Sequence, residues 1–340
     1  MTLTRVVAVL FAAFSAIAIN ISFIITFACA FNQSTVPPLT WPQCQRRSAA
    51  ANPLHLAKRS ITSAKKSRRK AKQQSLASLL ELETDLRAQG YRYVIGTDDT
   101  GGAGCIAGPV VVASCCVLVP HSCFLPLAPS LGMPPPPSGE AMPAVAPAAM
   151  AALGEVNDCK VLTSARRKEI FDVVTSRPDL FAVSVARRSP AQIDEVNLAR
   201  ATQEAFAESI ETLVESHDLP FEQIYAVTDG KVSPKLYASQ RRQPAGASEE
   251  SEMASEGQLK PLFSVRPYVN ADAHVYTVAL ASIIARQARD DLMLELDAQQ
   301  PLYGFANHSG YGTREHIEAL HRLGSLEGIH RMSFKQVKGR

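Results

Sequence analysis

The chain is 340 residues long, enough for one large domain or two ordinary ones with a sizeable core. Its formal net charge of +3 conceals a division: residues 1–80 hold 11 of the 35 Lys and Arg and no Asp or Glu, so residues 81–340 set 24 basic against 32 acidic side chains. A domain-wide basic surface for nucleic acid is therefore excluded, and any such surface on the globular part must be local.

From Val6 to Phe31 the chain runs 26 residues without a charge, long enough to span a bilayer. Ser15, Asn20 and Ser22 interrupt the run, and it ends in "ACAF", small residues that suit a cleaved signal better than a permanent membrane anchor. Residues 32–74 are rich in Ser, Ala, Lys and Arg, lack acids and include "AKKSRRKAKQQ", the composition of a transit peptide. A hydrophobic signal followed by such a stretch is similar to the bipartite plastid-targeting leader of algae with secondary plastids. A plastid location is the expectation; another organelle, a membrane anchor, a basic tail binding nucleic acid or membrane, and a nuclear signal are the alternatives. The expected organisation is a signal-like segment at 1–31, a basic disordered segment at 32–80, and one domain at 81–340. Disordered insertions are expected at about 124–153 and 240–258.

"SLASLLELETDLRAQG" has helical spacing and stops at Gly90. "YRYVIGTDD" and "GPVVVASCCVLV" read as an antiparallel strand pair around a Gly-rich turn. The seven cysteines are odd in number and show no CxxC pair, which argues against a disulfide framework. Cys115 and Cys116 read as buried free thiols. After the Pro- and Ala-rich stretch come a capped amphipathic helix, "SARRKEIFDVVTS", and a strand, "LFAVSVARRS". One long helical pattern then covers "PAQIDEVNLARATQEAFAESIETLVESH", and "QIYAVTDG" is a strand ending in a carboxylate. "HVYTVALASIIARQARDDLMLELDAQQ" is a long helix, and the last forty residues read as turns and a short helix. Strands alternating with helices after a leading strand pair predict an α/β domain with a mixed sheet.

Three carboxylate sites stand at or just past strand-like runs: Asp98 with Asp99, Asp229, and Asp272. Adjacent acids repel, so Asp98 and Asp99 need a bound cation, a solvated turn or a helix start. If the three sites meet at one sheet edge, their charge calls for hard divalent ions with oxygen ligands. Two such ions would suit phosphodiester cleavage, activating water and stabilising the leaving oxygen. Acids at strand ends also serve as turn and cap residues. His308, His316, His321 and His330 have no tight pair spacing and read as core or surface residues rather than zinc ligands.

The pattern resembles type 2 ribonuclease H, the ribonuclease HII family, from about Tyr93 to Lys338. The residues that carry the resemblance are "DDTGGAGCIAGPVV", "NDCKVLTSARRKEIF", "QIDEVNLARAT" and "VTDGKVSPKL", followed by "ALASIIARQARDDLMLELD", "YGFANHSGYGTREHIEALHRLG" and "HRMSFKQVK". The resemblance implies a ribonuclease H-like mixed sheet flanked by helices with a helical C-terminal extension. It implies Mg2+- or Mn2+-dependent cleavage of RNA, or of single ribonucleotides, in RNA/DNA duplexes, leaving 5′-phosphate and 3′-hydroxyl ends. The cellular role would be ribonucleotide and primer removal in DNA replication and repair, by a protein expected to be a monomer. By the same resemblance Asp98, Asp99, Asp229 and Asp272 are the catalytic, metal-binding acids of a two-metal site. Gly101, Gly102, Gly104, Asn157, Lys160 and Tyr311 are the substrate-binding residues, with Tyr311 against a sugar and Lys160 toward phosphate. His330, Arg331 and Lys335 form a basic end suited to phosphates or to solvent.

The chain departs from the family where Asp99 stands for Glu and where "GGAG", one residue longer, stands for Gly-Arg-Gly. Anchoring on "GCIAGP" would move the acid position to Asp99 followed by Thr100; the strand register of "VIGTDD" favours Asp98. Ser309 and Arg286 stand where the family commonly has Lys. These departures keep a second reading open, a hybrid-binding homologue with weak or no cleavage.

Overall fold

The computed structural model describes residues 74–125, 144–231, 233, 234, 236 and 263–339. They lie in the unit spanning residues 67–340; the unit spanning 1–66, with the signal-like run, and the insertion expected at 240–258 fall outside the described residues.

Five strands form one sheet: β1 (Tyr93–Thr100), β2 (Val110–Val117), β3 (Phe181–Arg188), β4 (Ile224–Asp229) and β5 (Ser264–Tyr268), in the order β3-β2-β1-β4-β5. The first three are antiparallel neighbours, β4 runs parallel to β1, and β5 runs parallel to β4. All eight residues of β2 are buried, as expected of a strand covered on both faces. Alternation sends Ala113, Cys115 and Val117 into one apolar layer and Val112 and Cys116 into the other. Cys115 and Cys116 are thus buried free thiols on opposite faces, and burial pushes the Cys116 thiol up to about 12.

One face is covered by α5 (Leu198–Ser216) and the other by α6 (Tyr276–Gln299), backed by α1 (Leu76–Ala88) and α3 (Ser164–Thr175). Two expected boundaries move. The domain begins before residue 81, because Ser75 caps α1 through Ser78 N and buries Leu79 and Leu80 in the core. The insertion expected at 124–153 is folded at both ends: Phe124 and Leu125 are buried, and α2 (Pro147–Gly154) buries Ala152 and Leu153. Its Ala-rich composition is also good helix chemistry, and Pro147 sits in the first turn where no amide is needed.

The helical pattern after Ser189 is two helices, not one. Asn197, at φ 72°, separates α4 (Pro190–Val196) from α5 and accepts a hydrogen bond from Arg200 N at 3.1 Å as the new cap. The C-terminal part, with α7 (Phe305–His308) and α8 (Arg314–Leu323), packs Tyr303, Phe305, Ala319 and Leu320 against Ile106 and Met293.

The position of α6 depends on two contacts. At Gly96 the β1 backbone touches the helix backbone: a Cβ there would lie 2.2 Å from Thr277 C and Val278 N. At the N-terminus of α6, Val275 offers no capping oxygen, so the fully buried Glu83 of α1 accepts from Thr277 N at 2.7 Å. Its other oxygen is 3.0 Å from Nε2 of the buried His121. Burial alone would raise the Glu83 carboxyl; His121 and the Thr277 amide outweigh it and hold the group below its ordinary value.

Glu83→Ala, which strands His121 and the helix amide, is expected to cost about 3–5 kcal/mol in urea denaturation. Gly96→Ala is expected to cost about 3 kcal/mol, the upper end for overpacking, because both contacting atoms belong to backbone. Wild-type denaturation midpoints in these variants would contradict this account of how α6 is held.

Candidate active site

Gly96 and Asp98 are two residues apart on β1 and so face the same side, toward α6. The close approach at Gly96 also brings Ser282, one turn beyond Val278 on α6, near enough to Asp98 to oppose the rise of its carboxyl, while the Ser282 hydroxyl donates to Cys159 Sγ at 3.2 Å. Asp229 ends the adjacent parallel strand β4. Its Oδ1 accepts from Ala271 N at 2.8 Å, which ties β4 to the turn Ala271–Ala273 carrying Asp272. Asp272 is thus held in a turn between β5 and α6 rather than on a strand, yet it reaches the same site. Parallel neighbours β1 and β4 present their carboxyl ends side by side, the edge where open α/β sheets bind ligands.

The four acids feel one another. Burial, then Asp229, raises the Asp98 carboxyl well above its ordinary value, with Asp99 and Asp272 adding to the effect and Ser282 opposing it. Burial and Asp229 likewise raise Asp99, to about 6. Burial also raises Asp229, against the Ala271 hydrogen bond. Among the described residues, the cation paired with these acids is Lys160, whose ammonium is 2.5 Å from Asp272 Oδ2 and 3.5 Å from Asp158 Oδ1. Burial works against that ammonium, but the Asp272 contact outweighs it and keeps Lys160 charged.

Among the described residues, no group of three or more His, Cys, Asp and Glu is arranged as a ligand set for a metal ion. The carboxylates are instead turned onto internal donors: Asp98 Oδ1 onto Asp99 N, Asp229 Oδ1 onto Ala271 N, and Asp272 Oδ2 onto Lys160. The donor chemistry fits a hard divalent cation, with four carboxylates, no soft ligand needed, and an excess of negative charge that one ammonium does not neutralise.

The glycine-rich loop lies beside these acids. A Cβ at Gly102 would be 3.9 Å from Asp99 Oδ2, and one at Gly104 would be 3.4 Å from the Tyr311 ring. Cys105 forms an isolated bridge with Tyr311, and Gly312 N donates to Gly104 O at 3.1 Å. Gly101, at φ 88°, needs a glycine backbone. Tyr311 is 38% exposed, with its ring open beside the loop.

Arg331 is not part of a phosphate-binding basic end. It is fully buried and donates to the carbonyls of Gly101, Gly102 and Gly108 at 2.6–3.1 Å, holding the loop from beneath. Arg289 does the same for Ala107, Pro109 and Ser309. His330 is buried as well and so leaves the expected basic end; with His308 and His316 it takes the core one of the two roles expected of the histidines, core or surface. His316 Nδ1 donates to Tyr311 O, while His330 Nδ1 accepts from Leu326 N, so the 3.2 Å contact between their Nε2 atoms has His330 as donor. Burial lowers both rings to about 4, which keeps this arrangement neutral.

Asn157, beside the Asp158 that contacts Lys160, has its side-chain amide engaged within the fold. It is buried, and its amide both donates to Gln74 O and accepts from Gln74 N, fastening the chain just before α1. Ser282 and the buried Arg289 escaped residue-by-residue reading. Their signal was present as Ser282, Arg286 and Arg289, polar at helical spacing on an otherwise apolar stretch.

A family model described as Ribonuclease HII matches residues 141–337, a stretch that contains Asp229, Asp272 and Tyr311 and begins after Asp98 and Asp99. The chain is 30% identical over 273 residues to a ribonuclease HII of Geobacillus thermodenitrificans (strain NG80-2), covering 80% of each. It is 31% identical over 264 residues to that of Desulfitobacterium hafniense (strain Y51), covering 77% of this chain and 76% of the relative. For the ribonuclease HII of Chlamydia pneumoniae the figures are 31% over 266 residues, 78% and 94%. Among solved structures, the ribonuclease H2 of Pyrococcus horikoshii OT3 aligns at 21% identity and a TM-score of 0.45, covering 72% of this chain and 95% of that one.

The raised carboxyls have a thermodynamic consequence. Asp98 and Asp99 bind protons more tightly folded than unfolded, so their contribution to stability is present at low pH and is lost as pH rises from the ordinary carboxylate range through about 6 and beyond. Asp98→Asn is therefore expected to raise the melting temperature by several degrees in EDTA at about pH 8 and to change it little at about pH 4. Scanning calorimetry of the full chain at both pH values checks this, and a destabilised variant at about pH 8 would contradict it.

Proposed function

Because the chain belongs to the ribonuclease HII family of RNA/DNA-hybrid ribonucleases, we propose that it is a divalent-metal-dependent endonuclease that cuts RNA tracts and single ribonucleotides within duplexes. The observation that carries this reading is the convergence of Asp98, Asp99, Asp229 and Asp272 at one sheet edge, with Tyr311 and the glycine loop beside them.

Asp98, Asp99, Asp229 and Asp272 would hold Mg2+ or Mn2+, which when bound supplies charge neutralisation and water activation for in-line phosphodiester hydrolysis. Lys160 offsets the charge of Asp272 and, being exposed on its outer side, is placed to exchange that contact for a substrate phosphate. Tyr311 offers a ring face to a sugar with little rotamer cost. The carbonyls of Gly101, Gly102 and Gly104 are committed to Arg331 and Gly312, which leaves the loop's amide groups for the sugar and its 2′-hydroxyl.

The proposed setting is ribonucleotide and primer removal during DNA replication and repair, in a plastid reached through the leader of residues 1–80. That leader lies outside the described residues apart from its last seven. No helix of the described residues is long and apolar enough to cross a membrane, so a membrane link would rest on the Val6–Phe31 run.

The test is to incubate the full chain with duplex DNA containing one ribonucleotide, in Mg2+, Mn2+ or EDTA. Cutting is expected with either metal and not with EDTA, leaving 5′-phosphate and 3′-hydroxyl ends. Asp98→Asn should lose at least about a hundredfold in rate, the scale of deleting one electrostatic contact to a transition state. Asp99→Glu should keep cutting, because Gly102 leaves room beside it. Undiminished cutting in EDTA would sink the metal-dependent reading, and binding without cutting under every condition would favour the hybrid-binding one.

A further inference from the structure

The row of acids continues onto the outer strand of the sheet. Thr97 pairs with Thr228 and Asp229 with Tyr268, so Asp98, Asp229 and Tyr268 occupy neighbouring positions on β1, β4 and β5 and face the same side. Strands lie about 4.8 Å apart, which puts the Tyr268 backbone about 5 Å from Asp229 and about 10 Å from Asp98. On this side α6 covers β1 and β2 and leaves β5 bare. Val265 packs with Phe263 in the apolar layer beneath α5, while Arg266 and Tyr268 alternate onto the open face.

Tyr268 and the adjoining Val269 are 46% and 51% exposed, an apolar surface on an edge strand, where charge alone would serve as protection. Nitrogen-bearing side chains surround the ring. Arg266 shares its face two residues earlier, Lys231 follows Gly230, whose amide donates to Tyr268 O at 3.1 Å, and the His274 ring is 6.0 Å from the Tyr268 ring. Arg266, Lys231 and His274 are all exposed, and among the described residues neither cation pairs with a carboxylate. In a domain with 32 acids against 24 cations, two unspent cations and an open ring beside four carboxylates fit one kind of occupant. A sugar-phosphate backbone offers a sugar face to the ring and phosphates to the cations.

We infer that Arg266, Tyr268, Lys231 and His274 form a second nucleic-acid contact, on the β5 side of the acids, which holds the backbone of the duplex beyond the point of cleavage. The inference rests on the hybrid-cleaving reading and adds a flank to it: Tyr311 lies against the glycine loop that follows β1, and Tyr268 lies across the row of acids on the outer strand. At a rise of about 3.4 Å per nucleotide, the patch meets the strand about one to three nucleotides from the cut. Its contacts go to sugar and phosphate, so it acts without preference for base sequence.

The test measures binding of the full chain in EDTA to fluorescein-labelled DNA duplexes containing one ribonucleotide, by anisotropy over about 50–200 mM salt. One duplex extends equally to both sides of the ribonucleotide; two others are cut back to it on the 5′ or on the 3′ side. On the symmetric duplex Tyr268→Ala should weaken binding about tenfold, the scale of losing one stacked ring, and Tyr268→Phe should keep it. Arg266→Gln should make the slope of log K against log[salt] shallower by about 0.9, one phosphate contact. On one shortened duplex, and not on the other, Tyr268→Ala and Arg266→Gln should bind as the parent does, because the backbone they would hold is gone. Variants that fall short of the parent equally on all three duplexes overturn the inference, and circular dichroism melts would then register a damaged fold. A parent chain that binds and cuts while Tyr268→Ala and Arg266→Gln match it on the symmetric duplex overturns this inference alone; a parent that binds no ribonucleotide-containing duplex overturns the functional reading as well.

Discussion

The contact on which the site depends is the one between the backbone of β1 and the backbone of α6 at Gly96. Removing the side chain there lets the helix settle against the strand, and the register of that contact decides what faces Asp98. Ser282 comes close to Asp98 because it follows Val278 by one helical turn, and Arg286 and Arg289 extend the same line toward the glycine loop. Glu83 fixes the same end of α6 from the other side, since a helix start without its own cap accepts a carboxylate from a distant element. A change at Gly96 or Glu83 therefore acts on the site without touching it.

Around this axis the fold gathers more negative charge than it neutralises. Burial makes each carboxylate costly, and Asp229 makes Asp98 and Asp99 costlier still. Lys160 relieves Asp272, while the remaining acids take protons or backbone amides. Such an arrangement costs folding stability and is useful to a protein whose ligand brings positive charge. The same logic, with opposite sign, governs the two buried arginines: Arg331 and Arg289 are tolerated away from water because carbonyls of the glycine loop and its neighbours satisfy them. They hold the loop from beneath.

Much of this was legible in the residues. The leading strand pair, the four acids and Tyr311 follow from alternation, strand ends and quoted motifs. The closure of Asn157 on Gln74 did not follow, because a motif match does not say which way an amide points. Arg331 was misread for a related reason: a cation in a polar C-terminal segment looks solvent-facing until the carbonyls it serves, more than two hundred positions earlier, are brought beneath it. The helix at Pro147–Gly154 was hidden by composition, since Pro and Ala read as unstructured until Leu153 finds a core to enter.

The sequence by itself determined the period and chemistry of each segment: a buried β2, an acid pair at the end of β1, a glycine loop, and a long apolar helix with a polar line. Those are local properties, fixed by side-chain alternation, helical spacing and backbone freedom. Only the tertiary structure decided which groups share a field. Whether Asp272 joins Asp98, whether Tyr268 stands beside them, and whether Glu83 is a surface charge or a helix cap all depend on contacts between elements far apart in the chain. Burial and Coulomb interaction act through those distances in space.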